Sequence, residues 1–377
     1  MEKAIIPLFV RYTGLRERLE HVPLCELPTP AQRLDRLGAR LGITNLYMKR
    51  DDISARAYGG NKPRKLEFLL GDALRSGASH VITIGAAGSN HALATAIYAQ
   101  QVGLKSISML MPQPNARYVG RNLLMSLRSG AELHCCGTGL DSPMNMQLVY
   151  AATMIQTARH RLRSGQSPRM IPPGGSSPIG TIGFVNAALE LADEVDRGEL
   201  PEPDYVYVAC GTLGTAAGLI LGLRAAGLSS RVVAVKVVTG PFVGPAKMIR
   251  LIEMTNHLLH SSDAGFPELL FSAADFDFRD EWCGKQYALF TQEGMEAVRL
   301  IEESEGIQLD GTYTGKTLAA LVGDARQGRL KEKTVLFWNT LNSRDFSGEI
   351  AGVDYHDLPR CFHQYFEKPV QPLDRNR

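Results

Sequence analysis

The sequence predicts an α/β protein with two domains, each built on a mainly parallel sheet that carries helices on both faces. Strand-like runs alternate with helix-like segments from about residue 45 onward, and single helices between successive strands are typical of βαβ units. The strand-like runs are more numerous than one ordinary sheet module holds, and 377 residues suit two cores better than one. The expected fold is therefore a three-layer α/β arrangement that occurs twice.

The predicted strands are short runs rich in β-branched and aromatic residues. They cover residues 45–49, 80–84, 106–111, 132–135, 205–210, 232–238 and 334–338. Helical patterns lie between them, at residues 65–75, 90–102, 122–129, 143–163, 178–197, 215–226, 294–305 and 315–326. Residues 261–286 lack a clear period and are predicted to form a long connection.

Two stretches rich in proline mark changes of organisation. The run 172–178, Pro-Pro-Gly-Gly-Ser-Ser-Pro, is the clearest break in the middle of the chain. It is consistent with a crossing between domains, and an ordinary helix-to-strand loop is the alternative. The last 30 residues contain Pro359, Pro369 and Pro372, and they are predicted to form an appended surface tail.

Composition argues against several classes of protein. The net charge is +2, from 41 basic and 39 acidic residues, which gives no basis for binding nucleic acid or a membrane surface. No stretch reaches the ~18 uninterrupted apolar residues of a membrane span. Residues 1–12 lack the basic-then-apolar order of a secretory signal. These features predict a cytoplasmic protein with no membrane partner.

The six cysteines are scattered along the chain, at positions 25, 135, 136, 210, 283 and 361. They form no Cys-x-x-Cys pair, and no histidine lies at a spacing typical of metal ligands. Adjacent Cys135 and Cys136 are poorly placed to bridge each other, so we expect buried free thiols. This pattern predicts no metal site and fits a reducing compartment.

The first loop with chemical potential contains Lys62. It reads Tyr-Gly-Gly-Asn-Lys-Pro-Arg-Lys over residues 58–65, follows a predicted strand and opens a helix. The two glycines permit unusual backbone shapes, and Pro63 suits a first helical turn, so Lys62 could be held against a cofactor. The alternative is a solvated basic helix start with Lys62, Arg64 and Lys65 exposed. Spacing alone favours that alternative.

The second loop, at residues 211–218, follows the predicted strand 205–210 and precedes an apolar helix. A glycine-rich turn of this kind leaves backbone N–H groups at the positive end of a helix, which suits a phosphate group. Thr212 and Thr215 add hydroxyl donors. Both the Gly-Lys-Ser/Thr ending of a P-loop and the acidic residue of a dinucleotide site are missing. The pattern favours a phosphate site over a turn that binds nothing.

The third loop, at residues 85–91, again joins a strand to a helix. Ser89 and Asn90 fit a helix N-cap. The same donors could instead hold a carboxylate or a ring hydroxyl, and the sequence leaves both interpretations open. His91 is more typical of a helix surface than of a catalytic base.

Two further polar positions open helices or end strands. Tyr313 could be an acid, a base or a positioning group, with Thr314 as a hydrogen-bond partner. Thr340 follows the last predicted strand, although residues 339–343 could also be an ordinary turn. Neither position predicts a function alone.

Taken together, these segments resemble pyridoxal-phosphate enzymes of the tryptophan-synthase-β-like fold, specifically the aminocyclopropane-carboxylate deaminase and D-cysteine desulfhydrase family. The matching segments occur in the family's order and span roughly Pro28 to Thr340, most of the chain. Each segment alone is unspecific, whereas six in order are a strong signal. They are residues 49–52, 59–62 with 64–67, 89–91, 174–180, 211–215 and 313–316.

The resemblance implies the cofactor, the domain boundaries and the assembly. It implies pyridoxal 5′-phosphate in the cleft between the domains. It places residues 1–64 and 174–377 in a large cofactor-binding domain and residues 65–173 in a small domain. It also implies a homodimer that acts on a small amino acid.

The resemblance further implies which residues hold the cofactor. Lys62 would bind it as a Schiff base and later move the α-proton. Asn90 would bond its ring hydroxyl, and Thr314 would meet its pyridine nitrogen. The phosphate would be held by Gly211, Thr212, Leu213, Gly214 and Thr215, with Lys65 as an additional candidate.

For the substrate, the resemblance implies that Ser89, Asn90 and His91 face the carboxylate. Tyr313 and Tyr287 would flank the reacting amino acid. Ser89, Tyr313 and Tyr287 therefore join Lys62 as the expected catalytic residues.

Thr314 bears on the type of reaction. A neutral hydroxyl cannot keep the pyridine nitrogen protonated as a carboxylate could, so the cofactor is a weaker electron sink. The ring-opening members of the family have Glu at this position. Thr314 therefore favours elimination of a β-substituent, which releases ammonia and a 2-oxo acid.

The chain departs from the family pattern close to the expected substrate. Gly88 stands where the family usually has Gln, and residues 92–94, Ala-Leu-Ala, replace more polar residues. Substrate specificity is therefore open at this stage.

Several functions remain in competition. The preferred hypothesis is a pyridoxal-phosphate-dependent lyase or deaminase of the D-cysteine desulfhydrase kind. The enzymatic alternatives are a β-replacement or racemase-type biosynthetic enzyme and an aminocyclopropane-carboxylate deaminase. A catalytically silent homologue that only binds the cofactor is the non-enzymatic alternative, and the presence of Lys62 and Tyr313 argues against it.

Overall fold

The structure, a computed structural model, describes residues 6–137, 143–240 and 243–375. Its strands form two sheets. In chain order they are β1 (Ala31–Arg33), β2 (Asn45–Lys49), β3 (His80–Ala86), β4 (Lys105–Met111), β5 (Glu132–Cys135), β6 (Arg169–Ile171), β7 (Tyr205–Cys210), β8 (Arg231–Lys236), β9 (Asp277–Arg279) and β10 (Thr334–Trp338).

The helices connect and cover these strands. In the first half of the chain they are α1 (Pro7–Arg11), α2 (Leu15–Arg18), α3 (Asp35–Leu41), α4 (Lys62–Arg75), α5 (Asn90–Gln101), α6 (Arg117–Arg128) and α7 (Pro143–Ser164). The later ones are α8 (Pro178–Asp196), α9 (Gly214–Ala225), α10 (Pro245–Ser262), α11 (Gln292–Glu305), α12 (Thr314–Arg326), α13 (Ser347–Ile350), α14 (Gln364–Glu367) and α15 (Pro372–Arg375).

The larger sheet has the strand order β1-β2-β10-β7-β8-β9. Only β1 is antiparallel to its neighbour, and the other pairs are parallel. Both faces of this sheet are covered. The cluster formed by α8, α9 and α10 packs on side chains such as Val206 and Trp338, while α3, α11 and α12 pack on Tyr207 and Phe337.

The smaller sheet has the order β5-β4-β3-β6, and all its pairs are parallel. Val81 and Ile171 face the side on which α4 and α5 pack. Ile82 and Ile84 face the opposite side, where Val149 of α7 packs. Alternate residues of β3 thus point to opposite helical layers, as expected for a parallel strand that is buried on both faces. The predicted pair of three-layer α/β units is confirmed.

The strands divide as the expected domain boundaries require. All strands of the smaller sheet lie within residues 65–173, and all strands of the larger sheet lie outside that range. Residues 173–175 form a short 3₁₀ turn between β6 and α8, so the proline-rich run is the crossing from the smaller to the larger sheet. Helix α4 starts in the connection from β2 and passes through the boundary at residue 64. We therefore retain the division as a proposal.

The structure also contains elements that the sequence did not predict. Three strands of three residues each, β1, β6 and β9, add an edge strand to a sheet. Helix α10 is the longest element that was not predicted. The C-terminal tail, defined here as residues 354–375, is not a simple surface appendage, because Leu358, Phe362 and Tyr365 are buried against α6 and the segment around Phe290. The prediction about a secretory signal concerned residues 1–12, and the first five of these lie outside the described part of the chain.

No helix of the described residues is long and apolar enough to cross a membrane. Within the same residues, no group of three or more His, Cys, Asp or Glu side chains is arranged to hold a metal ion. All six cysteines are free thiols. Cys136 is buried as expected, whereas Cys135 is exposed, so the expectation of burial is wrong for Cys135.

Candidate active site

A cavity of about 960 Å³, open to solvent, lies where the two sheets meet. The loops that follow β3, β7 and β10 all line it. These loops leave the carboxyl ends of parallel strands, which is where open α/β sheets bind ligands. The cavity is therefore in a position typical of small-molecule sites. The predicted residues on its wall are Lys62, Lys65, Ser89, Asn90, His91, Gly211, Thr212, Leu213, Thr215, Tyr287 and Tyr313.

Lys62 is the first residue of α4 and faces this cavity. Burial disfavours its charged form and lowers the pKa of the Lys62 ammonium to about 8, although the nearby Asp310 carboxylate partly opposes the shift. Arg64 and Lys65 are each only 1% exposed. The interpretation of this segment as a solvated basic helix start is therefore wrong.

A buried ion network fixes the start of α4. The Arg64 guanidinium donates to both carboxylate oxygens of Asp51, at 2.8 and 3.0 Å, and to both carboxylate oxygens of Glu190, at 3.0 and 2.9 Å. Trp338 at the end of β10 donates its indole N–H to Asp51 (2.8 Å). Helix α4 is thereby joined to α8 and to the larger sheet two residues beyond Lys62.

The loop at residues 211–215 closes one end of the cavity at the start of α9. Leu213 has a positive φ of 74°, and the helix begins at Gly214, so the first-turn N–H groups lie at the positive end of the helix dipole. A Cβ atom on Gly214 would lie 3.0 Å from Lys65 Nζ and 2.8 Å from Ser176 Oγ. Glycine therefore keeps this concave loop open.

The side chain of Lys65 lies on the cavity wall beside the same loop. Its ammonium donates to the Gly174 carbonyl (3.1 Å), and no salt bridge joins it to any of the described carboxylates. Burial, together with the charge on Lys62, lowers the pKa of Lys65 well below its usual value. A buried lysine beside the N-terminus of a helix is a donor set that suits a phosphate group.

The turn after β3 presents a second set of donors. Ser89 caps α5, and its Oγ accepts the Ala92 N–H (3.1 Å), so the predicted N-cap is confirmed. The Asn90 side-chain oxygen accepts from Asn122 Nδ2 (2.9 Å), which orients the Asn90 amide group and leaves its own N–H₂ available for the cavity. His91 is buried, contrary to the surface position predicted from spacing.

The electrostatics of His91 follow from its position. Burial lowers the pKa of the imidazole well below its usual value, and the charges on Lys62 and Lys65 lower it further. A neutral imidazole therefore faces the cavity at neutral pH, where it can donate one hydrogen bond but carries no charge.

Two tyrosines, Tyr287 and Tyr313, also line the cavity and contact each other. The hydroxyls of Tyr287 and Tyr313 are hydrogen-bonded to each other. Burial raises the pKa of Tyr287 to about 12 and that of Tyr313 well above its usual value. Both hydroxyls are therefore protonated at neutral pH, and either can donate a proton or a hydrogen bond toward the cavity.

Asp310 lines the cavity and was not predicted. Its carboxylate accepts the N–H groups of Thr312 (2.7 Å) and Tyr313 (2.6 Å) at the start of α12. It also places a negative charge near Lys62. The signal in the sequence was an aspartate three residues before Tyr313, a spacing typical of side chains that cap a turn.

Two of the predicted residues do not reach the cavity wall. The Thr314 hydroxyl donates to the Asp310 carboxylate (2.8 Å) and is buried behind it, so this structure does not support the expected contact with a pyridine nitrogen. Thr340, which had no role assigned, lines the cavity instead. Gly214 contributes backbone only, and its N–H donates to Ser176 Oγ (3.1 Å).

The departure at Gly88 has a structural explanation. The Gly88 N–H donates to the side chain of Gln113 (2.9 Å), and a Cβ atom on Gly88 would lie 2.7 Å from a ring carbon of Tyr118. The Tyr118 hydroxyl accepts from Gln113 (2.8 Å) and from Thr312 (3.2 Å). The space of a larger residue 88 is thus filled from α6 and the loop before it.

Comparison with known proteins shows the family. Residues 22–340 match the family described as "Pyridoxal-phosphate dependent enzyme", and this chain belongs to it. A Pyrococcus horikoshii protein, named provisionally as a 1-aminocyclopropane-1-carboxylate deaminase, is 37% identical over 327 residues, 87% of this chain and 93% of the relative. The D-cysteine desulfhydrase of Klebsiella pneumoniae is 35% identical over 329 residues, 86% of this chain and 94% of the relative.

A solved structure gives the same picture. The crystal structure of an ACC deaminase homologue superposes with a TM-score of 0.75 at 33% sequence identity, covering 92% of this chain and 98% of the other. The protein is therefore a pyridoxal-phosphate-dependent enzyme with the fold predicted from its sequence.

The residues of the cavity fit this cofactor. Lys62 offers an amine of lowered pKa for covalent attachment, and the open Gly214 loop with Lys65 offers a place for the phosphate. The oriented Asn90 amide could donate to the ring hydroxyl. These three groups line one continuous cavity.

Proposed function

We propose that this enzyme eliminates the β-substituent of a small amino acid of the D-cysteine kind, releasing ammonia and a 2-oxo acid. The observation that carries the proposal is that a lysine of lowered pKa and a pair of protonated tyrosines face one cavity, at Lys62, Tyr287 and Tyr313. Elimination requires such a base and such an acid, the first for the α-proton and the second for the leaving group.

In this proposal the cofactor is held from three sides. Lys62 binds it covalently, and Asn90 donates to its ring hydroxyl. The phosphate lies at the positive end of α9, where residues Gly211 to Thr215 surround it and Lys65 neutralises its charge. Thr340, which lines the cavity after β10, is the candidate for the ring nitrogen in place of Thr314.

The substrate carboxylate is assigned to the start of α5. Ser89 and Asn90 supply donors there, and the positive end of the helix dipole favours an anion. The neutral His91 imidazole adds a donor. This arrangement holds the α-carbon on the Lys62 side of the cavity, so that one proton is presented to the amine.

Pyridoxal phosphate, when bound, withdraws electrons from the α-carbon of an amino acid attached to it. Once the amino group of the substrate has taken its place on the cofactor, the neutral amine of Lys62 would accept the α-proton, and the electron pair of that C–H bond would form the new α,β double bond as the β-substituent left with its own bonding pair. Tyr313, held by Tyr287, donates a proton to the leaving sulfur. Water then converts the remaining skeleton to a 2-oxo acid and ammonia.

Elimination is favoured over ring opening by the side chains near the expected ring nitrogen. Thr314 is a hydroxyl residue whose donor is already used by Asp310, and Thr340 on the cavity wall is also a neutral hydroxyl. A neutral partner makes the cofactor a weaker electron sink, which suits departure of a good leaving group such as a thiolate.

A substrate screen tests the proposal. The holoenzyme is mixed with D-cysteine, L-cysteine, D-serine and 1-aminocyclopropane-1-carboxylate, and the 2-oxo acid is quantified, together with sulfide for the two cysteines. We expect the highest kcat/KM for D-cysteine, with equal amounts of sulfide and pyruvate, and none with Lys62→Ala. Oxo acid from the cyclopropane substrate alone, or from none of the four, would contradict the proposal.

The location and assembly of the enzyme are further proposals. The unpaired cysteines support a reducing, cytoplasmic environment. The family resemblance supports a homodimer. Light scattering would then give twice the 41.2 kDa chain mass, whereas a mass equal to one chain would contradict it.

A further inference from the structure

The C-terminal tail lies outside the part of the chain that matches the family, which ends at residue 340. It nevertheless packs tightly. Phe362 and Tyr365 are buried in the cluster that includes α6, and Phe366 lies so close to α6 that a Cβ atom on Gly120 would be 3.0 Å from its ring. The tail thus follows the smaller domain toward the cavity.

Near its end, the tail reaches the segment that follows Tyr287. The Gln371 side chain accepts the Phe290 N–H (2.7 Å) and donates to the Ala288 carbonyl (3.0 Å). Gln371 is 8% exposed and Ala288 is fully buried. One amide group therefore satisfies two buried backbone groups that would otherwise be without these partners.

The segment held by Gln371 has an unfavourable backbone conformation. Ala288 has a φ of 61°, a region that residues with a Cβ atom seldom adopt and that persists only where the surroundings impose it. The two hydrogen bonds from Gln371 lie on Ala288 itself and two residues beyond it. They are well placed to impose this conformation.

The conformation of Ala288 sets the direction of its neighbour. Tyr287 immediately precedes it, lines the cavity and bonds the Tyr313 hydroxyl. On its other side the tail is tied to the smaller domain, because the Gln371 N–H donates to the Asn115 carbonyl (2.9 Å). Close by, the Asp374 carboxylate accepts the Arg117 N–H at the start of α6 (2.7 Å). The tail thus connects the start of α6 and the loop before it to the backbone that follows Tyr287, and Gln371 makes the bonds to that backbone.

We propose that Gln371 is a positioning residue that holds Tyr287 against Tyr313 in the active site. Gln371 does not line the cavity, so it acts only through the 288–290 backbone. The inference deepens the proposed function, on which it rests for the role of the tyrosine pair.

The experiment uses the full-length holoenzyme and compares Gln371→Ala with Gln364→Ala. Gln364 is a matched control because it is also a tail glutamine, and among the described residues its side chain bonds only the tail's own Cys361 carbonyl (2.9 Å). Hydrogen exchange followed by mass spectrometry reports on the peptide that contains residues 288–290. We expect faster exchange there in Gln371→Ala and no change in Gln364→Ala.

Kinetics separates positioning from general stability. Misplacement of a proton donor should lower kcat roughly 10- to 100-fold, with a smaller change in KM and an unchanged affinity for pyridoxal phosphate. In a Tyr287→Phe background, Gln371→Ala should add less than about a twofold further loss, since coupled residues are non-additive. An additive loss, or equal kcat for the two glutamine variants, would overturn the proposal.

A second variant tests whether the loss in Gln371→Ala comes from the side-chain hydrogen bonds or from detachment of the whole tail. Gln371→Glu keeps an acceptor for the Phe290 N–H and loses the donor to Ala288, so its kcat should lie between those of wild type and Gln371→Ala. An enzyme that turns over no amino acid would refute the proposed function. Hydrogen exchange at residues 288–290 would still decide whether Gln371 holds this backbone in place. Unchanged hydrogen exchange at residues 288–290 in Gln371→Ala would refute the positioning role of Gln371 alone.

Discussion

At the scale of single residues, two buried lysines show how the chain separates structure from chemistry. Lys49 is fully buried, and its ammonium forms ion pairs with Glu190 (2.9 Å) and Glu194. Lys62 faces the cavity and forms no such pair with the described carboxylates, so burial lowers its pKa to about 8. A lysine of this kind is partly neutral near physiological pH, as a nucleophile or base must be.

The lowered pKa predicts how the apoenzyme takes up its cofactor. Only the neutral amine attacks an aldehyde, so the rate of covalent attachment should rise with pH and level off above about pH 8. Near neutrality, the lower pKa increases the neutral fraction by about two orders of magnitude over a free lysine. Stopped-flow absorbance of pyridoxal-phosphate uptake measures this rate.

Asp310 provides a test of whether Lys62 is the amine that attacks the cofactor. Its carboxylate raises the pKa of Lys62, so Asp310→Asn should move the midpoint of the attachment rate to lower pH while keeping an oxygen for the α12 turn. A midpoint near 10.5 in the wild-type enzyme, or a shift to higher pH in the variant, would show that Lys62 is not the attacking amine.

Gly174 offers a residue-level test of the phosphate site. Its φ is 65°, and a Cβ atom there would lie 2.0 Å from Thr212 Oγ1, which accepts the Ser176 hydroxyl (2.8 Å). Gly174→Ala should therefore displace Thr212 and weaken cofactor binding by about tenfold or more, since such strain costs about 1–3 kcal/mol. Fluorescence titration of the apoenzyme with pyridoxal phosphate gives the Kd.

Gly198 is the matched control for this substitution. It has a φ of 72°, and a Cβ atom there would meet nothing within 4 Å. Gly198→Ala should cost some stability and leave the Kd unchanged. Equal Kd values for the two variants would argue against a phosphate beside Thr212.

At the scale of elements, helix α4 delivers Lys62 and Lys65 to the cavity because its start is anchored by charge. Arg64 lies between them in sequence, and it pairs with Asp51 (2.8 Å) and Glu190 (2.9 Å) while all three are buried. Burial would raise the pKa of Glu190, but the charges and hydrogen bonds of Arg64 and Lys49 lower it to about 2. Glu190 therefore remains ionised at neutral pH.

Removing the guanidinium should therefore be costly. Arg64→Met leaves Asp51 and Glu190 without their main cation, and breaking a buried pair in this way costs about 3–5 kcal/mol. Urea unfolding measures the loss. Arg56→Met is the control, because Arg56 is highly exposed and Glu26 is its one salt-bridge partner in the described part of the chain, so its loss should stay below about 1 kcal/mol. Similar losses for the two variants would contradict this view of α4.

Elements with a strong local pattern could be predicted, and those fixed by tertiary contacts could not. The β2, β5, β7 and β10 strands have the predicted bounds. The signal is clearest for β7 and β10, because each is a short run of mostly apolar residues. The three-residue strands β1, β6 and β9 are too short for any periodicity. Helix α10 buries a stripe that includes Thr255 and Asn256, so its buried face lacks a clean apolar signal.

At the scale of the whole molecule, the site exists because the carboxyl ends of two parallel sheets meet. The sequence shows each strand-to-helix turn separately, and the order of the turns indicates the family. It does not show which side chains of a turn reach the shared cavity. Thr314 and Thr340 illustrate this limit, since the first is drawn away by Asp310 and the second reaches the wall.

The central claim is that Lys62 carries the cofactor in this cavity. The most direct test is to reduce the holoenzyme with borohydride, cleave it after glutamate and sequence the peptide that ends at Glu67 by tandem mass spectrometry. That peptide contains Lys49, Lys62 and Lys65, so it also includes the nearest competitors. We expect the mass of the reduced cofactor on Lys62 alone. Attachment to Lys65, to a lysine outside this peptide or to no lysine would contradict the claim.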